Sequence, residues 1–220
     1  MSRLTLDITM SLDGFIAGPN QTVERPLGDG GERIHEWMYG LAAFRDRHGG
    51  SGGESNADDD VLRESVEATG AVLMGRRMFS GGEGGWEDDP VADGWWGDDP
   101  PFGVPVFVLT HHARETVTKQ GGTSYSFVTE GLEAAVAQAR AAAGDKDVAV
   151  AGGADVVQQC LRAGLLEGIQ IHLAPLLLGD GVRLFADLGT DLAGLEIASV
   201  IDSPTVTHLG YRVKSGSGSS

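Results

Sequence analysis

The feature that most constrains this chain is a strand–glycine–helix–strand pattern over residues 148–185. A short apolar run at 148–150 is followed by Gly152 and Gly153. Apolar residues then recur at helical spacing, namely Val156, Val157, Cys160, Leu161 and Leu165. A second apolar run follows at 169–173. Because two buried strands joined by a crossover helix form a parallel, right-handed unit, the pattern predicts an α/β fold.

The paired glycines at 152 and 153 lie where an anionic ligand would bind. The first-turn amides of a helix have no intrahelical acceptors, and glycine allows ligand oxygens to approach the backbone closely. A phosphate or pyrophosphate is therefore the expected ligand. The alternative is ordinary turn chemistry, because the segment matches neither the spaced dinucleotide-binding fingerprint nor a phosphate loop that ends in Gly-Lys-Ser/Thr.

Composition limits the range of partners. The 220 residues are 41% hydrophobic and 22% charged, which suits one compact domain over 1–214, followed by a flexible, linker-like tail at 215–220. The formal net charge of −16 argues against nucleic acid and anionic membranes. No apolar run approaches the roughly 18 residues of a membrane span and no secretory signal is present, so we expect a cytoplasmic protein. The single cysteine, Cys160, is expected to be a core residue.

The rest of the chain alternates between strand and helix patterns. The predicted strands are 3–10, 71–74, 104–109, 124–128, 195–201 and 206–213, and the predicted helices are 32–47, 58–68 and 132–143. The alternation favours a three-layer α/β/α fold with a mainly parallel central sheet. The last two strands add an antiparallel pair at the C-terminus.

Two arginines, Arg76 and Arg77, follow the predicted strand at 71–74. Guanidinium groups bind phosphate in a bidentate manner, so an arginine pair at a strand-to-helix junction of an acidic protein is a candidate phosphate clamp. The alternative is an ordinary solvated pair.

The polar end of the next strand carries Thr110, His111 and His112. Adjacent residues on a strand point to opposite faces, and no third ligand lies at a useful spacing, so we predict no metal site. Between these motifs, the segment 81–103 places Trp86, Trp95 and Trp96 among glycines and aspartates without periodicity. It is either a lid or partner surface, or a loop that packs back onto the core.

Four motifs in order give the chain a resemblance to a known family. They are MSLDGFIAG at 10–18, VLMGRRMF at 72–79, PVFVLTHH at 105–112, and VAVAGGADVVQQCLRAGLLEGIQIHLAPLLLGDGVRLF at 148–185. With these motifs the sequence resembles the dihydrofolate reductase-like superfamily, and within it the reductase domain of riboflavin biosynthesis and its stand-alone bacterial relatives. The resemblance spans nearly the whole chain and implies a reductase that uses NADPH.

The resemblance also implies roles for individual residues on the cofactor side. The residues that would hold the pyrophosphate are Gly152, Gly153, Ala154, Asp155 and Val156. Those that would meet the adenosine phosphates are Gly75, Arg76 and Arg77, those beside the 2′-phosphate are Thr110 and His111, and those against the nicotinamide are Ile16 and Ala17. The two arginines would favour NADPH over NADH.

On the substrate side, we place Asp13, Trp37 and Leu178. Asp13 matches the Ser-Leu-Asp-Gly motif and would bind substrate or relay a proton, whereas the alternative is an Asp-Gly turn that caps its own backbone. Trp37 belongs to an apolar stripe within 32–47 that otherwise packs in the core. The candidates for the carboxylate with which folate reductases hold the pteridine ring are Glu32, Glu36 and Asp46. Because none of them matches, folate is not the expected substrate.

The expected activity is hydride transfer from NADPH to a small heterocyclic substrate, pyrimidine- or pterin-like, or to a carbonyl compound. The zinc-binding cysteines of the deaminase domain that is often fused to the riboflavin reductase are absent from the 220 residues, so we expect reduction only. The family and the apolar terminal strands imply a homodimer. The alternative, from another functional class, is a protein that binds or sequesters a small molecule on the same fold without turnover.

Overall fold

The computed structural model of the protein describes residues 2–82, 84–190 and 192–214. The tail expected at 215–220 lies outside the described residues. Within them the strands are β1 Leu4–Ser11, β2 Phe15–Ala17, β3 Thr69–Gly75, β4 Pro105–Leu109, β5 Val117–Thr118, β6 Ser124–Val128, β7 Asp147–Gly152, β8 Gly168–Ala174, β9 Val182–Arg183, β10 Leu195–Asp202 and β11 Thr207–Val213.

Nine of these strands form one sheet in the order β10-β11-β8-β1-β7-β3-β4-β6-β5, and β2 pairs with β9 in a small ribbon. The strands from β8 to β6 in that order run parallel to one another. In contrast, β11, β10 and β5 are antiparallel to their neighbours. The predicted α/β fold, with a mainly parallel sheet and an antiparallel C-terminal pair, is confirmed.

Helices cover both faces of the sheet. They are α1 Ala42–Arg47, α2 Ala57–Ala68, α3 Arg76–Ser80, α4 Leu132–Ala143 and α5 Ala154–Arg162. The α4 and α5 helices pack on one face, where their apolar residues join the largest core cluster. On the other face, α2 lies over β1, since the Ser65 hydroxyl donates a hydrogen bond to Asp7. No helix among the described residues is both long and apolar enough to cross a membrane.

The alternation of side chains along β3 explains why the core has two sides. Ala71 and Leu73 pack with α4 and α5, whereas Val72 and Met74 face the opposite layer with Phe79. Cys160 is buried in the first of these layers, as predicted, and burial raises the pKa of its thiol to about 12. It is therefore an inert core residue and not a nucleophile.

The helix predicted over 32–47 is not continuous. A 3₁₀ turn covers Gly31–His35, and α1 begins only at Ala42. Leu41 takes an extended conformation between them and forms a parallel bridge with Glu54. Gly40 precedes this break and accepts a hydrogen bond from the Glu54 amide. A pairing with a distant segment therefore overrides the local helical spacing, although the apolar residues of the stripe still face inward.

The described part of the tryptophan-containing segment, residues 81–82 and 84–103, packs back onto the sheet. Trp86 contacts the rings of Phe79 and Phe127 edge-on, and its indole N–H donates to the carbonyl of His112 at 3.0 Å. Trp96 packs edge-on against Phe102. Of the two interpretations of this segment, the contacts favour packing against the core.

Candidate active site

A cavity of about 1100 Å³ lies at the carboxyl edge of the parallel strands. Its wall includes residues at or just beyond the ends of three neighbouring strands, namely Gly75 at the end of β3, Thr110 after β4 and Gly153 after β7. Because these strands are parallel, their carboxyl ends meet at one edge, which is where open α/β sheets bind ligands. Pockets for drug-sized ligands typically measure roughly 300–1,000 Å³, so this cavity has room for a cofactor and a small substrate.

The glycine turn opens the backbone to this cavity. Gly152 ends β7 with a φ of 117°, a conformation that disfavours any side chain. Gly153 is the N-cap of α5, and a Cβ atom added there would meet nothing within 4 Å. The first hydrogen bond within α5 runs from the Val157 amide to the Gly153 carbonyl, so the preceding amides of the first turn have no intrahelical acceptor. Residues 153–156 all line the cavity, whereas Gly152 is not part of its wall.

The structure separates the two arginines that the sequence places together. Arg76 is buried, with 8% of its side chain exposed, and pairs with Asp89 at 2.5 Å. Its guanidinium carbon lies 3.7 Å from the centre of the Trp86 ring, and it also contacts the Ser80 hydroxyl. Arg77 has 66% of its side chain exposed at the cavity wall, 3.9 Å from Asp155. These contacts make Arg77 the candidate phosphate ligand, whereas Arg76 anchors the tryptophan segment.

The remaining cofactor-side residues also line the cavity. Gly75 is the N-cap of α3, and a Cβ there would come within 3.0 Å of the Val156 side chain. Thr110 is buried and its hydroxyl accepts from the His112 amide at 3.2 Å, while His111 is exposed. Ile16 and Ala17, on β2, complete this group. Every predicted cofactor residue except Gly152 therefore lines one cavity, and Arg76 does so although its side chain is almost fully buried.

Asp13 lies elsewhere. Its carboxylate accepts hydrogen bonds from the Ser11 hydroxyl at 2.6 Å and from the amides of Leu178 and Gly179 at 3.1 and 2.7 Å. The Ser11 hydrogen bond, followed by those from the two amides, lowers the pKa of Asp13 to about 2. Neither Asp13 nor Leu178 is part of the cavity wall. Asp13 therefore fixes the loop at 176–181, a structural role beyond the Asp-Gly turn that the sequence suggested. Its catalytic role and the substrate role of Leu178 stay predictions.

Trp37, in contrast, lies in the cavity wall beside a polar row that crosses three strands. In the sheet register, Thr9 of β1 is opposite His172 of β8, which is opposite His208 of β11. The Trp37 indole N–H donates to the Thr9 hydroxyl at 3.3 Å. Its ring centre lies 4.9 Å from that of His172 and 5.2 Å from that of His208. Trp37 thus covers the two buried imidazoles.

The two histidines belong to a chain of short contacts. The Nδ1 atoms of His172 and His208 are 2.6 Å apart. The Nε2 atom of His172 lies 2.8 Å from Asp7, and the Nε2 atom of His208 lies 2.9 Å from Asp58. Burial raises the pKa of Asp7, but the charge and hydrogen bond of His172 outweigh it, so the pKa is lowered overall. Burial lowers the pKa of His208 more than its bond to Asp58 raises it.

Two further basic side chains line the cavity near Asp7. Burial lowers the pKa of Arg47, with Asp7 opposing the effect, and the guanidinium donates through Nε to the Pro101 carbonyl. Burial, with a smaller contribution from the charge of His172, lowers the pKa of His35 to about 4. The Nδ1 atom of His35 is buried and has no hydrogen-bond partner among the described residues. A ligand in the cavity could satisfy it.

The protein with this fold and this cavity matches a known family. The family model described as the RibD C-terminal domain matches residues 2–209. The chain belongs to the RibD C-terminal domain family. A search of curated proteins found no significant match.

Two solved structures share the fold of this RibD C-terminal domain. A protein from Shewanella sp. PV-4, provisionally assigned to riboflavin biosynthesis, is 23% identical with a TM-score of 0.63, and the match covers 98% of this chain and 100% of that one. The diaminohydroxyphosphoribosylaminopyrimidine deaminase/5-amino-6-(5-phosphoribosylamino)uracil reductase of Thermotoga maritima is 13% identical with a TM-score of 0.54. This second match covers 97% of this chain but 57% of that one. At these identities the similarity shows the fold.

The sequence interpretation of this RibD C-terminal domain missed six residues of the site, which are Asp7, His35, Arg47, Asp58, His172 and His208. One signal was available for two of them. Asp7 lies between Leu6 and Ile8 in β1, and His172 lies between Ile171 and Leu173 in β8, and both strands are in the interior of the sheet. A titratable side chain at such a position requires a polar or charged partner, so a search for that partner would have pointed to the site.

Proposed function

We propose that the protein is an NADPH-dependent reductase of a small heterocyclic or carbonyl substrate. The observation that carries the proposal is that the open α5 N-terminus, the exposed Arg77 and the β2 residues Ile16 and Ala17 all line one cavity. Membership of the RibD C-terminal domain family supports the reductase class. The reductase named in the Thermotoga maritima protein is consistent with the same class.

The residues present fit a dinucleotide phosphate cofactor. The first-turn amides at 154–156 form a cradle for pyrophosphate oxygens, and the space beside Gly153 that a Cβ would occupy is open to them. Arg77 can supply the positive charge that a 2′-phosphate requires. When bound, the cofactor would supply a hydride to an electrophilic carbon of the substrate.

On the substrate side, the chain's own residues would orient a flat molecule. Trp37, Phe44 and Phe102 provide aromatic surface in the cavity wall, and Asp7 and Arg47 provide opposite charges near one another. A planar heterocycle or an aromatic carbonyl compound presents both an apolar face and a polar edge to such a wall. The aromatic surface would also exclude water from the reacting atoms.

Titration with NADPH and NADH tests the proposal, because Trp95 and Trp96 line the cavity and their fluorescence should be quenched on binding. We expect at least about a tenfold preference for NADPH, or about 1.4 kcal/mol. In Arg77→Ser the Kd for NADPH should rise about tenfold, a value at the low end for a charged hydrogen bond because the side chain is exposed. The Kd for NADH should stay unchanged.

Arg3→Ser is the matched control for this titration. Arg3 is similarly exposed and also paired with an aspartate, but it lies at the amino end of the strands, away from the cavity. This variant should bind NADPH as the wild type does. Absence of NADPH binding by the wild type would refute the proposal, and equal affinity for the two nucleotides would refute the role of Arg77.

We also propose that the protein is a homodimer formed through β10. This strand ends the sheet, and Leu195, Ile197 and Val200 on it are exposed. A bulge between Ile197 and Ser199 shifts the register, so all three pair with β11 residues that face the α5 side of the sheet. An edge strand with an exposed apolar row requires cover. Light scattering after gel filtration should give the mass of two chains, and the mass of one chain would refute the proposal.

A further inference from the structure

Three hydrogen bonds join four titratable groups in the order Asp7, His172, His208 and Asp58. The successive distances are 2.8, 2.6 and 2.9 Å. His172, His208 and Asp58 are buried, and about 25% of the Asp7 side chain is exposed at the cavity wall. We refer to these four residues as the carboxylate–histidine chain.

The number of hydrogen bonds fixes the number of protons in this chain. Each of the three contacts joins two groups that can each act as a base, so each contact needs one proton. Two ionised carboxylates with two neutral imidazoles hold only two protons. The carboxylate–histidine chain therefore holds one more, because without it one of the three short contacts would bring two lone pairs together.

The surroundings place this third proton on the side of His172. Burial lowers the pKa of His208, which favours the arrangement in which its Nε2 donates to Asp58 and its Nδ1 accepts from His172. His172 then donates from both nitrogens, the second bond going to Asp7. The Trp37 ring covers both imidazoles at 4.9 and 5.2 Å, which is within the range of a cation–π contact.

Charged and polar groups from the neighbouring elements contact both ends of the carboxylate–histidine chain. Asp7 accepts from the Ser65 hydroxyl of α2 at 2.5 Å and is close to Arg47 of α1, while His35 faces His172 from the 3₁₀ turn. At the other end, Asp58 accepts from the hydroxyls of Ser203 and Thr205 at 3.0 and 3.2 Å. Asp7 and His172 line the cavity, whereas His208 and Asp58 are not part of its wall.

A metal site does not account for this arrangement. The side chains meet in pairs along a line and do not converge on one point. Within the described ranges, no group of three or more histidine, cysteine, aspartate or glutamate side chains could hold a metal ion.

We propose that the carboxylate–histidine chain delivers the proton that accompanies the hydride, with Asp7 as the catalytic acid and His172, His208 and Asp58 as positioning residues behind it. The inference rests on the proposed reductase function. The two electrons and the hydrogen bonded to carbon come from the nicotinamide cofactor. The π electrons of the substrate double bond move to its heteroatom. The third proton passes from His172 Nε2 to the Asp7 carboxylate and from Asp7 to the heteroatom, so Asp7 ends ionised and His172 neutral. Solvent later returns a proton to His172 through Asp7.

This assignment specifies the substrate class. The reacting bond must be a polarised C=O or C=N bond whose heteroatom becomes O–H or N–H. Reduction of a ring that is already cationic, such as an N-alkylpyridinium, needs a hydride but no proton. Such a substrate would not need the carboxylate–histidine chain. A role in proton delivery also gives a reason for titratable side chains in a part of the sheet that is otherwise buried.

Nitrogen NMR of the histidine rings tests the proton count without any cofactor. Protein labelled with ¹⁵N-histidine would be recorded from pH 5 to 9, with His172 and His208 assigned by their replacement with glutamine. We expect the two rings together to carry three N–H protons at pH 7, one for each of the three hydrogen bonds. In Asp58→Asn the third proton should be lost at lower pH, because an anion that stabilises it is gone.

Asp59→Asn is the matched control. Asp59 is a buried carboxylate in the same helical turn as Asp58, but it accepts hydrogen bonds from Ala43 and Arg63 and is not part of the carboxylate–histidine chain. It should leave the ring titrations unchanged. Thermal unfolding of every variant would separate loss of folding from loss of the proton. Two neutral rings in the wild type at pH 7 would overturn the inference, whatever the activity.

NADPH oxidation with 7,8-dihydrobiopterin as a C=N probe and 4-nitrobenzaldehyde as a C=O probe tests delivery. In Asp7→Asn, kcat should fall by about 100-fold or more while the KM for NADPH is unchanged. Asp58→Asn acts from outside the cavity and should move the high-pH fall in kcat to lower pH, whereas Asp59→Asn should not.

The outcomes distinguish the two proposals. Normal kcat in Asp7→Asn together with NADPH oxidation by the wild type would overturn the relay and leave the reductase function standing. If the wild type oxidises NADPH with neither probe, the proposed function fails for these substrate classes and the delivery step fails with it. A histidine pair that carries the third proton, combined with the predicted losses in Asp7→Asn and Asp58→Asn, supports both.

Discussion

Replacing Asp89 with asparagine should destabilise the protein strongly without weakening NADPH binding. Asp89 is almost fully buried, with 2% of its side chain exposed, and its carboxylate lies 2.5 Å from the Arg76 guanidinium. It also accepts from the Ser80 hydroxyl at 2.7 Å and from the Val91 amide at 3.0 Å. Asparagine keeps an oxygen for the amide but leaves the Arg76 cation buried without an anion.

The structure sets the size of this effect. At an effective dielectric constant of about 20, two unit charges 2.5 Å apart attract by roughly 6–7 kcal/mol. Some of this remains in the variant, because Arg76 keeps its contacts with the Trp86 ring and Ser80. Breaking one side of a buried pair typically costs about 3–5 kcal/mol, and we expect that range here. At roughly 2–4 °C per kcal/mol for a chain of this length, Tm should fall by roughly 6–20 °C.

The pH dependence of stability gives a second signature of the pair. Burial raises the pKa of Asp89, but the hydrogen bonds from Ser80 and Arg76 outweigh it and lower the pKa below the ordinary value of 3.8. A lowered folded-state pKa means that the stability is present above pH 3.8 and is lost as the pH falls through the lower folded value. Asp89→Asn should remove this part of the acid sensitivity.

Calorimetry of Asp89→Asn and Asp93→Asn measures the effect against a matched control. Asp93 lies in the same segment and pairs with Arg114, but 70% of its side chain is exposed, so its loss should cost less than about 1 kcal/mol. NADPH titration at a temperature where both variants are folded should give the wild-type Kd. Wild-type stability in Asp89→Asn, or NADPH affinity that rises because Arg76 is released, would refute the structural role of Arg76.

Three further variants test other parts of the structure. The buried His35 ring has its pKa lowered to about 4, so between pH 6.5 and 4 the unfolded state binds more protons than the folded state and stability falls as the pH falls. In His35→Gln this loss of stability should shrink by up to about 3 kcal/mol. Denaturant unfolding at several pH values between 6.5 and 4 measures the change. Asp13→Asn should speed amide hydrogen exchange at Leu178 and Gly179, which lose a charged acceptor. Ile197→Lys should give the mass of one chain in light scattering, since it puts a charge into the exposed row of β10.

Each of these expectations has a clear contrary result. An unchanged pH slope in His35→Gln would mean that the ring is not held neutral by burial. Unchanged exchange in Asp13→Asn, with a large fall in kcat, would restore the predicted catalytic role of Asp13. A dimer that persists in Ile197→Lys would place the interface on another surface, and Glu196→Gln, on the adjacent position, is the control that should keep the wild-type mass.

The fold could be predicted because its main signals are local. The apolar run at 148–150, the glycine pair and the helical spacing after it correspond to β7, Gly152–Gly153 and α5 in the structure. The topological rule for parallel strands then places the strand ends together. The helix predicted over 32–47 failed because the Leu41–Glu54 bridge depends on a segment that gives no local signal.

The site was predictable where backbone chemistry carries it and not where side chains select their partners. Gly75 and Gly153 follow from strand ends, so their position at the cavity could be inferred. Arg76 and Arg77 are indistinguishable by sequence, and the difference between them is set by Asp89, which lies in a segment without periodicity. The contact between His172 and His208 depends on the pairing of β8 with β11, which no local pattern specifies.

The most direct test of the central claim is a crystal structure of the protein with NADPH. The account predicts pyrophosphate oxygens at the amides of residues 154–156, the 2′-phosphate at Arg77, and the nicotinamide beside Ile16 and Ala17 on the side of the cavity that Asp7 lines. NADPH bound outside this cavity, or in it with the nicotinamide turned away from Ala17, would contradict the account.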